Sequence, residues 1–167
     1  MSVEDLITKE DMVVTLTHEG FIKRTPKTSY KSQKRGGVGK TGATSKNDDF
    51  AENVFQASTH DYVMFFTSSG KCFWRKVHEL PESSLTARGR ALRNVLDLSE
   101  SEKVASCISL QDFEQDKFLI MTTKSGIIKK TKLEEYSRPR SNGIIAINLK
   151  NNDELISVTT SSGSDQI

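Results

Sequence analysis

Cysteine, proline and long apolar runs are scarce in this chain. Its 167 residues include two cysteines, three prolines and one tryptophan. Cys72 and Cys107 stand alone in apolar stretches, so the pattern predicts buried free thiols, with no disulfide framework and no metal site. Because no apolar stretch resembles a signal peptide or a membrane span, we expect a protein of the reducing cytoplasm that does not contact membranes.

Helical periodicity is also scarce, and at most a helical turn is expected at Asp5–Lys9 and at Glu79–Ser84. What the chain does have is a repeat. Three times an apolar run leads through a few small or polar residues to a glycine, and a second apolar and basic run follows that glycine. The three glycines are Gly20, Gly70 and Gly126, and a bulky residue stands ten positions after each of them, at Tyr30, Leu80 and Tyr136. Each copy therefore predicts a β-hairpin closed by a glycine turn.

Two further strands are expected in each copy. The first strand of the hairpin is clearest at Val63–Phe66 and Phe118–Met121, which are too short for helices. A third strand is predicted at Ala91–Leu96 and Ile144–Leu149. The fourth is predicted at Val54–Ala57, Val104–Ile108 and Leu155–Val158. Four short strands in a repeat of about fifty residues predict an all-β fold of propeller-like blades.

The repeat also predicts the domain organisation. Residues 1–10 are expected to be a linker, residues 11–60, 61–115 and 116–164 to be three blades, and residues 165–167 to begin a fourth. A closed propeller needs about four to eight blades. We therefore expect an incomplete arc from a longer protein and not a closed ring.

Basic residues are concentrated near the N-terminal end, although the net charge is only +2. Between His18 and Lys46 the chain has eight lysines and arginines, and Glu19 is the one acidic residue. A locally basic segment in a near-neutral chain indicates a polyanion-binding face.

The glycine-rich segment Gln33–Lys40 is the strongest candidate for that face. Its glycines leave the backbone open to a phosphate, its cations flank the exposed amides, and nothing in it can identify a base. The site residues predicted here are Gln33, Lys34, Arg35, Gly36, Gly37, Gly39 and Lys40. A flexible basic linker is the alternative. A nucleotide-binding P-loop is rejected, because Lys34 stands where that motif needs a glycine and no amphipathic helix follows Thr41.

Arginines and lysines recur at similar places in the other copies. The loop segments Arg88–Arg90 and Arg138–Gly143 correspond to the glycine-rich segment, and basic pairs follow each hairpin turn. Equivalent positions of stacked blades project the same way, so these groups predict a basic rim, with ordinary solvated strand ends as the alternative. The predicted rim residues are Lys23, Arg24, Arg75, Lys76, Arg88, Arg90, Arg93, Lys129, Lys130, Arg138 and Arg140.

No catalytic or metal site is predicted. His18, His60 and His78 stand singly, and the acidic pairs lack partners that would make an acid–base or metal centre. Function is therefore expected to reside in binding: either to the phosphates of a polyanion through the basic groups, or to another protein through a propeller-type scaffold whose basic groups are incidental.

The segment Gln-Lys-Arg-Gly-Gly-Val-Gly at 33–39 closely resembles the gyrase A box, Q-[RK]-R-G-G-[KR]-G, and the flanking repeats resemble successive blades of the same family. The chain is thus similar to the C-terminal domain of DNA gyrase A subunits. Val38 departs from the pattern, since a basic residue is usual there, which weakens one phosphate contact that Lys40 partly replaces.

The resemblance implies a β-pinwheel, in which propeller-like blades exchange strands with their neighbours. It implies sequence-independent wrapping of double-stranded DNA around a basic rim, in support of ATP-dependent negative supercoiling at the bacterial nucleoid. The implied partners are the gyrase A N-terminal domain and gyrase B in an A2B2 holoenzyme, where ATP and magnesium act outside this chain, as does the catalytic tyrosine. A topoisomerase IV-like domain, which tunes substrate choice without full wrapping, is the nearest alternative.

Overall fold

The same four-residue turn closes all three predicted hairpins. The computed structural model describes residues 2–31, 49–113, 116–138, 140 and 142–162. The turns span Thr17–Gly20, Thr67–Gly70 and Thr123–Gly126. In each turn the glycine amide donates to the threonine carbonyl at 3.0 Å, and the threonine hydroxyl accepts from the amide that follows the glycine at 3.0–3.1 Å. The glycines have φ of 89°, 90° and 91°, a region that side-chain-bearing residues rarely adopt.

The regular secondary structure of the described residues is almost entirely β-strand. The strands are β1 (Asp11–Thr17), β2 (Phe21–Pro26), β3 (Ala51–Ser58), β4 (Tyr62–Thr67), β5 (Lys71–Lys76), β6 (Arg90–Ala91), β7 (Val104–Leu110), β8 (Phe118–Thr123), β9 (Ile128–Lys132), β10 (Ile144–Ile145) and β11 (Leu155–Ser161). One helical turn, α1, covers Thr28–Lys31. Single 3-10 turns cover Val3–Leu6, Val77–Glu79, Leu92–Asn94 and Leu133–Tyr136. None of the helices in this described part is long and apolar enough to cross a membrane.

The first of two compact units comprises Met1–Asp61 and Arg75–Val95. Its sheet has the strand order β3-β1-β2-β6, with antiparallel pairing throughout. The first two strands form the hairpin, with Leu16 opposite Ile22, and β3 pairs along the other edge of β1. The side chains of Met12, Val14, Leu16, Ile22 and Ala57 are at most 4% exposed and form the core of this sheet.

The second unit comprises Tyr62–Trp74 and Leu96–Ile167. It carries sheets of order β10-β5-β4-β7 and β11-β8-β9. Its core is one cluster of buried side chains that includes Met64, Phe66, Leu119, Met121 and Leu133. Buried and half-buried residues alternate along β8, which is the period-two pattern expected of a sheet with one face in the core.

Strand exchange distinguishes these sheets from independent blades. The two-residue strand β6 belongs to the second repeat but pairs with β2 of the first, placing Arg90 opposite Ile22. In the same way β10 of the third repeat pairs with β5 of the second, placing Ile144 opposite Cys72. The prediction of an all-β pinwheel is thus confirmed. The blade boundaries at 11–60, 61–115 and 116–164 follow the sequence repeat and stay a prediction.

The predicted third strands were wrong in length. Ala91–Leu96 and Ile144–Leu149 were expected to be strands, but pairing covers two residues in each case, and Leu92–Asn94 forms a 3-10 turn. After the two paired residues, each segment leaves the strand ladder and is attached to the neighbouring sheet through the carbonyl of a turn glycine, which accepts from Leu92 N at 2.7 Å in one case and from Ala146 N at 2.8 Å in the other. The remaining predicted strands lie inside observed ones.

Candidate nucleic-acid interface

The glycine-rich segment predicted as the principal DNA contact lies outside the described residues. This applies to Gln33, Lys34, Arg35, Gly36, Gly37, Val38, Gly39 and Lys40, whose roles stay predictions. The described chain resumes at Asp49, which is buried and fixed beside the first hairpin turn. Its carboxylate accepts from the amides of Glu19 at 2.9 Å and Phe50 at 3.0 Å. Burial alone would raise the pKa of Asp49, but hydrogen bonds from Thr17 and these two amides outweigh it and lower the pKa.

The best-defined basic element is the exchanged segment from Leu80 to Leu92, which lies along β2. Three backbone contacts attach it: Arg24 N donates to the Pro81 carbonyl at 2.8 Å, Ser83 N donates to the Arg24 carbonyl at 3.0 Å, and Leu92 N donates to the Gly20 carbonyl at 2.7 Å. Gly89 is required at the closest approach, since a Cβ there would stand 2.4 Å from the Ile22 carbonyl oxygen. The strand β2 is therefore the template on which the loop is laid.

Arg88 is exposed on this loop and held in a defined orientation. Its guanidinium group lies 3.7 Å from the centroid of the Phe21 ring, and its Nη2 is 2.8 Å from Glu19 Oε2. The two side chains of the ion pair are 43% and 40% exposed. A stacked guanidinium keeps its outward N–H groups free for a further acceptor, so Arg88 can reach a phosphate without leaving Phe21.

Two more arginines follow, one on the same segment and one just beyond it. Arg90 in β6 and Arg93 in the next 3-10 turn are exposed. Among the residues that the structure describes, neither guanidinium group has an ion-pair partner. The chain thus presents three exposed arginines within six positions, 88 to 93, and the first two lie on a segment whose backbone is fixed at both ends. That is an arrangement suited to neutralising phosphates.

Lys23 does not fit the prediction of a rim cation. Lys23 is only 2% exposed, and its Nζ donates to the carbonyls of Ser84, Leu85 and Ala87 at 3.0, 2.8 and 2.9 Å. Burial lowers the pKa of this ammonium group. The prediction was wrong because the exchanged segment covers the Lys23 side chain. The sequence around Lys23 and Arg24 does not indicate this contact with residues about 60 positions later.

Three other predicted rim residues are largely engaged with the protein itself. Arg24 Nε donates to the Leu80 carbonyl at 2.7 Å, and Arg75 Nη2 donates to the Val95 carbonyl at 3.1 Å. Lys76 is half-buried and ion-paired, with its Nζ at 3.1 Å from Glu4 Oε1. These contacts attach segments of the first unit to one another, so these three groups are less available to an external phosphate than Arg88.

The second unit places its predicted residues differently. Arg138 and Arg140 are exposed, in the segment that leads to the exchanged strand β10. On β9, Lys129 is half-buried and its Nζ donates to the Ala146 carbonyl at 3.2 Å, whereas Lys130 is exposed with its Nζ 4.4 Å from the centroid of the Phe118 ring. Each exchanged segment is therefore accompanied by exposed arginines of its own repeat.

Counting from the turn glycines corrects the predicted alignment of the basic pairs. The third residue after the glycine is Lys23 in the first copy, Phe73 in the second and Lys129 in the third. Arg75 and Lys76 are therefore not equivalent to Lys23 and Arg24 but lie two positions later. The distance of each basic pair from its turn glycine can be counted in the sequence, so this difference was predictable. The role of Glu19 as partner of Arg88 was missed as well, since 69 residues separate them.

The histidines make ordinary structural contacts. His18 stacks on Phe50, with ring centroids 4.9 Å apart, and contacts Glu52 through Nδ1. His60 Nε2 lies 2.8 Å from the Ile7 carbonyl oxygen. Within the described ranges no group of three or more His, Cys, Asp or Glu side chains could hold a metal ion.

Strands exchanged between consecutive repeats define a β-pinwheel, and exposed arginines accompany the exchanged segments. The family model for the DNA gyrase C-terminal domain, a β-propeller, matches residues 11–58, 61–111 and 117–162. The chain belongs to this DNA gyrase C-terminal domain family.

Individual relatives agree with that assignment. The chain is 48% identical to the DNA gyrase A protein of Haemophilus influenzae over all 167 residues, which cover 19% of that protein. It is 49% identical to the DNA gyrase A protein of Campylobacter jejuni over 93% of the chain and 18% of that protein. The chain thus spans about a fifth of the curated relatives that it matches.

Among solved structures, the C-terminal domain of DNA topoisomerase IV superposes with a TM-score of 0.80 at 30% identity, covering 94% of this chain and 47% of that one. A DNA gyrase A C-terminal domain superposes with a TM-score of 0.66 at 25% identity, covering 91% of this chain and 48% of that one.

Proposed function

We propose that this chain is a DNA-binding and DNA-wrapping module of the gyrase A protein, which binds the phosphate backbone of duplex DNA without reading sequence. The observation that carries the proposal is that Arg88, Arg90 and Arg93 are all exposed along a stretch that backbone hydrogen bonds attach to the first hairpin, with a close approach to β2 at Gly89. Membership in the gyrase C-terminal domain family supports it. Fixed cations with no base-reading side chains among them favour backbone contacts.

In the complete enzyme, the module would hold DNA against the gyrase A N-terminal domain and gyrase B in an A2B2 assembly in the cytoplasm. Bending duplex DNA over a few helical turns costs about 1–6 kcal/mol, and several phosphate contacts must offset that cost. The reaction itself, with its catalytic tyrosine, ATP and magnesium, is assigned to other parts of the assembly. This chain supplies binding energy and curvature and no catalytic residue.

Salt dependence of duplex binding tests the proposal. The logarithm of affinity falls by about 0.9 per phosphate contact for each decade of salt. The described residues include five exposed arginines, at 88, 90, 93, 138 and 140. We therefore expect about four contacts from them, and hence about a hundredfold loss of affinity between 50 and 200 mM salt. Fluorescence anisotropy with a labelled duplex of about 40 base pairs measures it, and a second duplex of unrelated sequence should bind equally well. An affinity that is independent of salt would leave the protein-interaction scaffold as the better reading.

The glycine-rich segment is tested in the complete gyrase. Replacing Lys34 and Arg35 by alanine should weaken wrapping and supercoiling while relaxation without ATP continues. Unchanged supercoiling would contradict the assignment of these two residues.

A topoisomerase IV-like role is the second candidate, favoured by the higher TM-score of 0.80 against the topoisomerase IV domain. Wrapping separates the two. When singly nicked plasmid is incubated with the complete gyrase A protein and then closed by ligase, a wrapping module shifts the linking number in proportion to bound protein. A domain that binds without wrapping leaves the linking number unchanged.

A further inference from the structure

Lys23 has an unusual environment for a lysine in a basic region. It is only 2% exposed, and its ammonium group, which has three N–H donors, donates hydrogen bonds to three carbonyl oxygens, those of Ser84, Leu85 and Ala87. A buried charge is tolerated only when it is fully hydrogen-bonded, and this one is. A direct contact with DNA, the role predicted from the sequence, does not explain why Lys23 makes these three hydrogen bonds.

The three carbonyls all belong to the turn that directly precedes Arg88. The upstream part of the segment is attached separately, where Thr25 Oγ1 donates to the Ser83 carbonyl at 3.0 Å. The downstream end is attached where Arg90 pairs with Ile22. Between these two attachments, the Lys23 ammonium is the group on which the carbonyls converge. It therefore sets the path of the backbone that leads into Arg88.

The second unit shows that this position does not require a lysine for packing. Counting from the turn glycine, Phe73 is the equivalent of Lys23, and it is 0% exposed beneath the exchanged segment at Gly143. An apolar side chain thus fills the same space under an exchanged segment. What lysine adds in the first unit is the ability to bind carbonyls and so to hold a turn in one shape.

We propose that Lys23 is a positioning residue, which directs Arg88 and Arg90 toward phosphate by binding the carbonyls of residues 84, 85 and 87 and does not itself touch DNA. The inference rests on the proposed function, because it concerns how the same arginines are presented. It assigns the DNA-binding contribution of Lys23 to the geometry of the loop and not to its charge.

A double-mutant cycle on the intact chain tests the proposal. Lys23→Met should lower the affinity for duplex DNA at about 100 mM salt by roughly tenfold, since the loss of one phosphate contact is worth about eightfold at that salt. In a background that carries Arg88→Gln and Arg90→Gln, the same change should have almost no further effect. If Lys23→Met lowers affinity equally in both backgrounds, or in neither, the proposal is overturned.

Thr25→Val is the matched control. Thr25 lies on the same strand, is 0% exposed and loses one hydrogen bond to the upstream part of the same segment. The affinity of the Thr25→Val variant for DNA should stay within twofold of the wild type. A tenfold loss in this variant would show that any damage to β2 weakens binding, and would overturn the specific role of Lys23.

Lysine footprinting of the wild type provides a readout that does not depend on a variant folding. Acetylation by an N-hydroxysuccinimide ester, followed by mass spectrometry, should leave Lys23 almost unmodified with and without DNA. Strong labelling of Lys23 in the free protein, with protection by DNA, would overturn the proposal. Absence of salt-dependent DNA binding by the wild type would instead remove the proposed function itself, so the two failures are distinguishable.

Discussion

Replacing Gly89 by alanine should destabilise the first unit more than replacing Gly20 does. Both glycines have φ of 89°, so the backbone strain that an alanine introduces is the same at the two positions. That strain is about 1–3 kcal/mol, and the reduced freedom of the unfolded chain offsets about 0.4–1 kcal/mol of it. Gly20→Ala should therefore cost about 1–2 kcal/mol.

The difference between the two variants comes from space. A Cβ at Gly20 meets nothing within 4 Å, whereas one at Gly89 stands 2.4 Å from the Ile22 carbonyl oxygen and 2.9 Å from its carbon. The obstacle is backbone, which no rotamer change can move, so β6 must separate from β2. By analogy with overpacked sites, this adds about 1–3 kcal/mol.

Urea unfolding followed by circular dichroism measures both variants. In thermal melts, each kilocalorie per mole corresponds to about 2–4 °C for a chain of this size. Gly89→Ala should also weaken DNA binding, because Gly89 lies between Arg88 and Arg90, whereas Gly20→Ala should leave it nearly unchanged. Equal losses of stability in the two variants would refute the claim that the exchanged segment is held by close approach to Ile22.

Three further outcomes are expected. Glu19→Gln releases Arg88 from an exposed ion pair and should raise the affinity for duplex DNA by about two- to fivefold in anisotropy titrations, so an unchanged or lower affinity would count against competition between Glu19 and phosphate. The hydrogen bond from the Ser125 hydroxyl, with backbone help, lowers the pKa of Asp153 to about 2, below its unfolded value. Its contribution to stability is therefore complete above about pH 4 and lost as pH falls toward about 2, and the difference in urea midpoint between wild type and Asp153→Asn should shrink across that window. Burial raises the pKa of Cys72 to about 12, so a disulfide reagent at about pH 8 should label it in urea but not in the folded protein, and rapid native labelling would contradict its burial.

The hairpins could be predicted from the sequence because their determinants are local. The predicted strand Val63–Phe66 lies inside the observed Tyr62–Thr67, and Phe118–Met121 lies inside Phe118–Thr123. In each case a run of β-forming residues ends in a turn whose threonine hydroxyl and glycine conformation are fixed within four residues.

The exchanged strands were not predictable in the same way. Arg90–Ala91 and Ile144–Ile145 are two residues long, and their pairing depends on strands that lie about 70 residues earlier in the chain. Neither composition nor periodicity can specify a partner at that distance. The glycines that permit the approach are visible in the sequence, but their partners are not.

The same limit explains the mixed result at the candidate site. The arginine and glycine pattern around Arg88 was predicted as basic, and the structure places it on an exposed segment. Lys23 has the same charge and stands in an equally basic stretch, yet it is buried under that segment. Sequence gives the charge of a side chain, whereas tertiary contact decides whether the charge faces solvent or the protein's own carbonyls.

Replacing Gly143, the glycine of the exchanged segment in the second unit, should have a different effect from replacing Gly89 in the first. The added Cβ at Gly143 would meet a side chain, whereas at Gly89 it would meet backbone. A Cβ at Gly143 would lie 2.8 and 2.9 Å from two ring carbons of Phe73, whose side chain is fully buried. Shortening that ring should make room, so Gly143→Ala and Phe73→Leu together should cost less than the sum of the single changes, with a coupling of at least about 1 kcal/mol in urea unfolding.

The corresponding cycle in the first unit should be additive. The atoms nearest a Cβ at Gly89 belong to the Ile22 backbone, so combining Gly89→Ala with Ile22→Val removes no obstacle. If both cycles show the same coupling energy, then the side chains beneath the two exchanged segments do not determine how the segments are held. The different roles assigned to Lys23 and Phe73 would then be wrong. If only the second unit shows coupling, the chemistry under each glycine determines how each segment is held.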